Sequence, residues 1–284
     1  MHAFRKLATA AALGALWAGA ATAADHGDKA LKAAVAGEWR SAENRARDQY
    51  RHPAESLSFW GLKPGMSVLE VQPGGGWWTE ILGPYAKATG GKLSVTGPDL
   101  ADPELPERSR EFRATMEKDF AAKADQYGPV GIVNWGPKSA APEAGSFDFA
   151  LVSRSFHGWS RTPGRAEKYL GDLFTALKPG GILAIEQHRA NPGPHDPSDT
   201  SGYLTEAFVI EQVEKAGFKL AARSEVNANP KDTKDHPFGV WTLPPFRATV
   251  PYGSGKEADP NFDRSKYDAI GESDRMTLRF VKPE

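Results

Sequence analysis

The chain has 284 residues, with 35 Lys and Arg against 36 Asp and Glu, 40% hydrophobic residues and no cysteine. This composition is that of an ordinary globular protein and excludes a disordered, fibrous or disulfide-stapled chain. A formal charge of −1 provides no basic field for a phosphate backbone, so we expect no nucleic-acid partner.

The first 23 residues differ in character from the rest of the chain. Arg5 and Lys6 precede an uncharged run rich in Ala and Leu at residues 7–21, and Ala-Thr-Ala occupies positions 21–23. This order predicts a secretory signal peptide at residues 1–23, cleaved after Ala23. The run is shorter than the roughly 20 apolar residues that span a bilayer, so we expect no stable membrane span after cleavage. The predicted location is exported, either periplasmic or secreted.

Residues 24–60 predict a helical N-terminal lead-in that ends in a short helix between Pro53 and Gly61. Pro favours the first turn of a helix and Gly its end. Residues 61–284 predict one α/β domain, which begins with a short apolar strand at residues 68–71. The helix after it has an apolar stripe with helical spacing, at Trp78, Ile81, Leu82 and Tyr85.

The alternation of strands and helices continues downstream. Short apolar runs at residues 93–96, 130–135 and 147–152 predict the second, third and fourth strands. Between the second and third, an apolar stripe predicts one helix of about 20 residues, and its members are Phe112, Met116, Phe120 and Tyr127.

A further helix is predicted with Thr162 as its N-cap and Pro163 at its first position. The turn at residues 178–181 then leads into the fifth strand from Ile182. The next helix is predicted over residues 203–217.

Two late strands are predicted at residues 218–226 and 276–280, on either side of a loop-rich insertion at residues 229–273. Such strands can still pair if the insertion folds over the domain. Because helices alternate with short apolar strands throughout, the pattern indicates an α/β fold.

The most informative segment is the loop after the first strand. The strand ends with Glu70, Val71 and Gln72, and Gly74, Gly75 and Gly76 then precede a helix. Glycines allow close backbone approach to a ligand, and a helix N-terminus presents free N–H groups. The segment therefore indicates a loop for a nucleotide-like cofactor, the alternative being a plain glycine turn. A dinucleotide-binding fingerprint would need Gly or Ala at the position of Thr79. The loop therefore argues against a nicotinamide dinucleotide as the cofactor.

Three segments together resemble the class I S-adenosylmethionine-dependent methyltransferases. They are the acid-x-Gly-x-Gly-x-Gly loop with Glu70, Gly74 and Gly76, the strand at residues 147–152, and the Leu-Lys-Pro-Gly-Gly turn at residues 177–181. The resemblance covers about Leu62 to Phe280, and the whole chain is most similar to a group of exported proteins described as predicted methyltransferases. It implies a Rossmann-like, seven-stranded, mostly parallel sheet with helices on both faces and a C-terminal antiparallel hairpin.

The same resemblance implies S-adenosylmethionine (SAM) as the cofactor and assigns residues to it. Glu70, Gly74 and Gly76 match the family's loop, whereas Gln72 stands where a first Gly is usual. Asp99 is the nearest acid for holding the ribose hydroxyls, although it lies about two residues later than the family's acid at the end of the second strand is expected.

Methyl transfer is an in-line displacement, so an enzyme must position the acceptor and exclude water. The acceptor site is expected at the carboxyl ends of the strands. His157 is our candidate base, and Arg154 is our candidate for holding an anionic acceptor. The alternative is that both are loop residues bonded to neighbouring carbonyls. Trp77 is an open candidate for a cation–π contact with the sulfonium, whereas Trp78 belongs to the apolar stripe.

The histidines show no metal-binding spacing, so we predict no metal site. The predicted function is SAM-dependent methyl transfer to an unidentified small-molecule acceptor. The alternative is a non-catalytic exported protein that keeps the fold and binds another ligand. The methyl acceptor and the oligomeric state are left open.

Overall fold

The computed structural model describes residues 27–284. The predicted signal peptide at residues 1–23 therefore lies outside the described residues. Across residues 27–284, no helix has both the length and the apolar content needed to cross a membrane.

Within the described residues, seven strands form one sheet in the order β3-β2-β1-β4-β5-β7-β6. Strand β7 runs antiparallel to both β5 and β6, and the other neighbours are parallel. The predicted Rossmann-like sheet with its C-terminal antiparallel hairpin is confirmed. The strands are β1 Ser67–Val71, β2 Lys92–Pro98, β3 Val130–Trp135, β4 Phe147–Ser153, β5 Leu177–His188, β6 Lys219–Ser224 and β7 Arg275–Val281.

Helices cover both faces of this sheet. Helix α1 occupies residues 27–35. The others are α2 Ala42–Ala46, α3 Asp48–Arg51, α4 Pro53–Trp60, α5 Thr79–Thr89, α6 Glu107–Ala122, α7 Ala124–Tyr127, α8 Phe156–Ser160, α9 Arg165–Ala176, α10 Glu206–Lys215 and α11 Ser265–Ile270, with a 3₁₀ turn at Gly239–Thr242.

Two apolar clusters fill the space between the sheet and its helices. In β4, Phe149 and Leu151 belong to the cluster beneath α4 and α5, whereas Ala150 and Val152 belong to the cluster beneath α9 and α10. Successive side chains of a strand point to opposite faces, so a strand covered on both faces is apolar throughout. This explains the continuous apolar runs that identified the strands.

The single long helix predicted along Phe112 to Tyr127 is wrong, because the chain bends at Lys123 and forms α6 and α7. Phe112 is 45% exposed and does not join the core. The bend brings α7 onto α5, where a Cβ at Gly83 would lie only 2.9 Å from the Cβ of Tyr127. Packing between helices, and not the local apolar spacing, decides this break.

The predicted start of the next helix is also wrong. Helix α9 begins at Arg165, directly after Gly164, and Thr162 does not cap it. Residues 156–160, upstream of Thr162, form the separate helix α8. Strand β5 begins at Leu177 instead of Ile182. The turn at residues 178–181 forms part of the strand because the Gly180 N–H donates a hydrogen bond to the Lys282 carbonyl, directly after β7, at 2.9 Å.

Candidate active site

Two adjoining cavities lie where the parallel strands end. The larger, of about 550 Å³, borders the ends of β1, β4 and β5 and the loop after the 3₁₀ turn. The smaller, of about 380 Å³, borders the ends of β1, β2 and β3. Gln72, Pro73 and Gly74 border both. The two cavities therefore form one cleft that crosses the loop after β1, the usual ligand position in open α/β sheets.

Gly74 supplies bare backbone at the centre of this cleft. Its φ is +57°, and a Cβ placed on it would meet no atom within 4 Å. Gly76 also has a positive φ, of +77°, just before α5 begins at Thr79. A side chain at these two positions would strain the backbone, and at Gly74 it would also project into open space.

Gln72 is the departure from the glycine pattern, and its backbone takes the conformation that a glycine would take, with φ at +52°. Its side-chain Oε1 accepts a hydrogen bond from the Trp159 indole at 2.9 Å, and its backbone N–H donates to Thr96 Oγ1 at 2.7 Å. The amide is thereby anchored to α8. It forms part of the cleft wall and leaves a cavity on either side.

Glu70 is the penultimate residue of β1, which ends at Val71, and it borders the larger cavity. It is 2% exposed, and its Oε2 accepts a hydrogen bond from Thr79 Oγ1 at 2.6 Å. Burial raises the pKa of Glu70 to about 7, although the bonds from Thr79 oppose this shift. Both protonation states of this carboxyl are therefore populated at neutral pH.

Asp99 is not displaced from the strand end, and the expected two-residue offset is wrong. Strand β2 continues to Pro98, which pairs with Trp135 of β3, so Asp99 is the next residue after the strand. Its carboxylate borders the smaller cavity and accepts hydrogen bonds from Ser139 Oγ at 2.7 Å and the Ala101 N–H at 2.9 Å. These bonds lower the pKa of Asp99.

Arg154 follows β4 and borders the larger cavity. Its φ is +57°, which is uncommon for a residue with a Cβ, and its N–H donates to the Glu186 carbonyl at 2.7 Å. Such strained positions are enriched at functional sites. Burial lowers the pKa of Arg154, although Glu186 and Glu272 oppose the shift.

His157, on α8, also borders the larger cavity, but it does not titrate near neutral pH as the sequence had suggested. Burial lowers its pKa to about 4, and burial also lowers the pKa of the neighbouring His188. Gln187 Nε2 lies 3.3 Å from His157 Nδ1 and donates to the Gly202 carbonyl at 3.1 Å. The carbonyl orients the amide, so His157 accepts at Nδ1 and carries its proton on Nε2.

Both tryptophans after the glycines are buried in the same apolar cluster, as predicted for Trp78, and both border the larger cavity. Trp77 borders the larger cavity, and its indole donates to the Asn44 carbonyl at 2.9 Å. The guanidinium carbons of Arg40 and Arg51 lie 5.4 and 4.7 Å from its ring centroid. Protein cations therefore already make the cation–π contacts of Trp77.

Several residues of the larger cavity were not identified from the sequence. Trp241, Phe246 and Tyr252 come from the loop-rich insertion, where their aromatic character in a polar segment was the only available signal. Arg47 and Glu272 are 225 positions apart and form an ion pair of 2.8 Å. No local pattern could have joined them.

Among residues 27–284, no group of three or more His, Asp or Glu side chains is placed to hold a metal ion.

Comparison with solved structures finds the same architecture elsewhere. The crystal structure of the (4+2)-cyclase SpnF has a TM-score of 0.54 and 16% identity, over 88% of this chain and 85% of that chain. A provisionally assigned sarcosine dimethylglycine methyltransferase from Galdieria sulphuraria has a TM-score of 0.51 and 15% identity, over 84% and 85%. A SAM-dependent methyltransferase from Aquifex aeolicus has a TM-score of 0.47 and 22% identity, over 65% and 89%.

These identities establish a shared methyltransferase-type fold and no more. No protein-family model matches the sequence, and no curated protein matches it significantly.

Proposed function

We propose that this protein transfers a methyl group from SAM to a small-molecule acceptor in the cleft at the carboxyl ends of β1, β2 and β4. One observation carries the proposal. The bare backbone of Gly74 lies where two cavities meet, with the Asp99 carboxylate on one side and the Glu70 carboxyl on the other. Such a cleft can hold a cofactor with a nucleoside part and an amino-acid part, one on each side of Gly74.

The chain's own residues fit this cofactor. No atom lies within 4 Å of where a Cβ on Gly74 would be, so the loop leaves a cradle open to a ligand. Asp99 is ionised and retains free lone pairs to accept hydrogen bonds from ribose hydroxyls. Glu70 would lie on the amino-acid side, where its ionised form would favour an ammonium group. When bound, SAM supplies an electrophilic methyl group on a sulfonium sulfur.

The larger cavity is the proposed acceptor site. Arg154 would bind and orient the acceptor, and the neutral His157 ring would donate a hydrogen bond from Nε2 to an acceptor oxygen. The aromatic side chains at the entrance would limit the access of water. Positioning and exclusion of water are the main demands of a methyl displacement.

Calorimetry with SAM and its demethylated product, S-adenosylhomocysteine (SAH), tests the proposal, with a nicotinamide dinucleotide as the comparison ligand. We expect Asp99→Asn to weaken SAH binding about tenfold, since hydrogen bonds to a charged group are the stronger ones. Asp263→Asn is the matched control, because Asp263 likewise accepts from the N–H two residues later but lies outside both cavities. The absence of binding heat with both SAM and SAH would overturn the proposal.

We also propose, from residues 1–23, that the enzyme acts outside the cytoplasm. Cell fractionation of the full chain and of a chain starting at Ala24 tests this. Retention of the full chain in the cytoplasm would contradict it.

A further inference from the structure

A cluster of charged side chains lies beneath the larger cavity, and Arg47, Arg154 and Glu272 of this cluster border the cavity. We use the name arginine cluster for Arg47, Arg51, Arg154 and Arg275 with the two acids between them, Glu186 and Glu272. The Glu272 carboxylate forms ion pairs with Arg47 Nε at 2.8 Å, Arg51 Nε at 2.7 Å and Arg275 Nη1 at 2.8 Å. Glu186 lies 3.1 Å from Arg275 Nε and accepts from Ser153 Oγ at 2.6 Å. Four guanidinium groups thus share two carboxylates.

Both acids of the arginine cluster are ionised at neutral pH. Burial alone raises the pKa of each, but the surrounding arginines outweigh burial and hold the pKa of Glu272 at about 2 and that of Glu186 below its usual value. The arginine cluster therefore has an excess of two positive charges.

Arg154 is the member of the arginine cluster whose positive charge is least compensated. Among residues 27–284 it forms no ion pair, whereas Arg47, Arg51 and Arg275 each contact a carboxylate. Its one side-chain hydrogen bond is long, from Nε to Ser153 Oγ at 3.4 Å. Glu186 and Glu272 act on Arg154 only from beyond ion-pair distance, and a partly buried cation without a contacting carboxylate is costly. Because Arg154 borders the cavity, an anionic ligand can supply that charge.

The entrance to the same cavity is aromatic. We use the name aromatic wall for Trp241, Phe246 and Tyr252. Trp241 and Tyr252 stack with their centroids 5.3 Å apart and their planes 4° apart, and the rings of Phe246 and Tyr252 are nearly perpendicular, with their centroids 5.0 Å apart. Phe246 is 54% and Tyr252 is 60% exposed, the two highest values among the large hydrophobic side chains of the described residues.

Exposed apolar surface that borders a cavity is typical of a binding site. Parallel rings in the aromatic wall match a flat apolar partner, since aromatic groups prefer offset-stacked or edge-on contacts. The cavity is therefore bordered by an aromatic wall at its entrance and by Arg154, which forms no ion pair among the described residues, and one small molecule can contact both.

We propose that the acceptor is a small aromatic carboxylate, whose ring packs against the aromatic wall and whose carboxylate pairs with Arg154. This inference rests on the proposed function only in naming the ligand an acceptor, and the binding site itself can be tested without methyl transfer. A guanidinium matches a carboxylate through two parallel hydrogen bonds.

The test uses three probes on the wild-type chain, with affinities measured by calorimetry: 2-naphthoate, its neutral isostere 2-naphthamide, and acetate. We expect 2-naphthoate to bind about tenfold more tightly than either of the others, because only it has both the ring and the charge. Equal binding of 2-naphthoate and 2-naphthamide would overturn the role of the carboxylate. Equal binding of 2-naphthoate and acetate would overturn the role of the ring.

Two variants locate the contacts. Arg154→Met should lower the affinity for 2-naphthoate to that for 2-naphthamide, whereas Tyr252→Ala should weaken both aromatic probes alike. The matched control is Arg223→Met, an exposed arginine that pairs with Glu206 outside the cavity, and it should change neither. Unchanged 2-naphthoate binding in a folded Arg154→Met variant would contradict the proposal. If that variant does not fold, the three-probe comparison on the wild type decides.

SAH separates this inference from the proposed function. Arg154→Met should leave SAH binding unchanged, and an equal loss of SAH and 2-naphthoate binding would assign Arg154 to the cofactor's carboxylate and overturn the inference. Wild-type protein that prefers 2-naphthoate but binds neither SAM nor SAH would support the carboxylate site and refute methyl transfer.

Discussion

Replacing Glu70 by Gln should change how the protein's stability depends on pH. Glu70 is buried at the end of β1, and burial raises its pKa from 4.5 to about 7. Between these two values the folded protein keeps a proton that the unfolded chain has released. Stability therefore falls as pH rises through this window. Gln has the same shape, can still accept the Thr79 hydrogen bond and has no proton to lose.

The size of the effect follows from the two pKa values, 4.5 in the unfolded chain and about 7 in the folded one. Ionisation of Glu70 costs the folded state little at pH 5 and about 3 kcal/mol at pH 8. The free energy of unfolding of Glu70→Gln, relative to wild type, should therefore rise by about 2.5 kcal/mol between pH 5 and pH 8. His157 and His188 titrate in both proteins and cancel in this difference.

Urea unfolding of both proteins at pH 5, 6, 7 and 8 measures the difference. Glu117→Gln is the control, since Glu117 is half-exposed and pairs with Arg113 on the surface of α6. Its difference from wild type should change by less than about 0.5 kcal/mol over the same range. A Glu70→Gln difference that stays constant from pH 5 to pH 8 would show that burial does not raise the pKa of Glu70.

Three further outcomes are expected. Gly76→Ala should destabilise the protein by about 1 kcal/mol, because Gly76 has a positive φ, and it should weaken SAH binding. Gly171→Ala, in the middle of α9 where a Cβ meets no other atom, should instead stabilise the protein by about 0.5 kcal/mol. Equal effects of the two substitutions on stability would contradict the role of the backbone conformation. The imidazole of His157 should titrate near pH 4 by NMR, and a midpoint near 6.5 would show that it is not buried. Trp60→Phe should cost about 1–3 kcal/mol in urea unfolding, because the buried Leu278 carbonyl loses its donor at 3.0 Å; a loss below about 0.5 kcal/mol would show that water replaces it.

The fold and the cofactor loop could be predicted from the sequence because their determinants are local. Strands buried on both faces are almost continuously apolar, so β1 and β4 were found almost to the residue. The glycines at 74–76 identified the loop, since only positions that need positive φ or a bare backbone select glycine so strongly. Even the exact end of β2 escaped prediction, because Gly97 and Pro98 are poor strand formers that join the strand only through pairing with β3.

Residue order thus determined the succession of strands and helices, the glycine loop and the acids beside it, all of which depend on neighbours within a few positions. The tertiary structure decided the acceptor side of the cleft. It brought Arg47 to Glu272, placed Trp241 and Tyr252 at the entrance, and left Arg154 without an ion pair among residues 27–284. It also moved the pKa values of Glu70 and His157 away from their usual range. Charge balance and desolvation depend on which distant groups share a buried volume, and that is known only once the chain has folded.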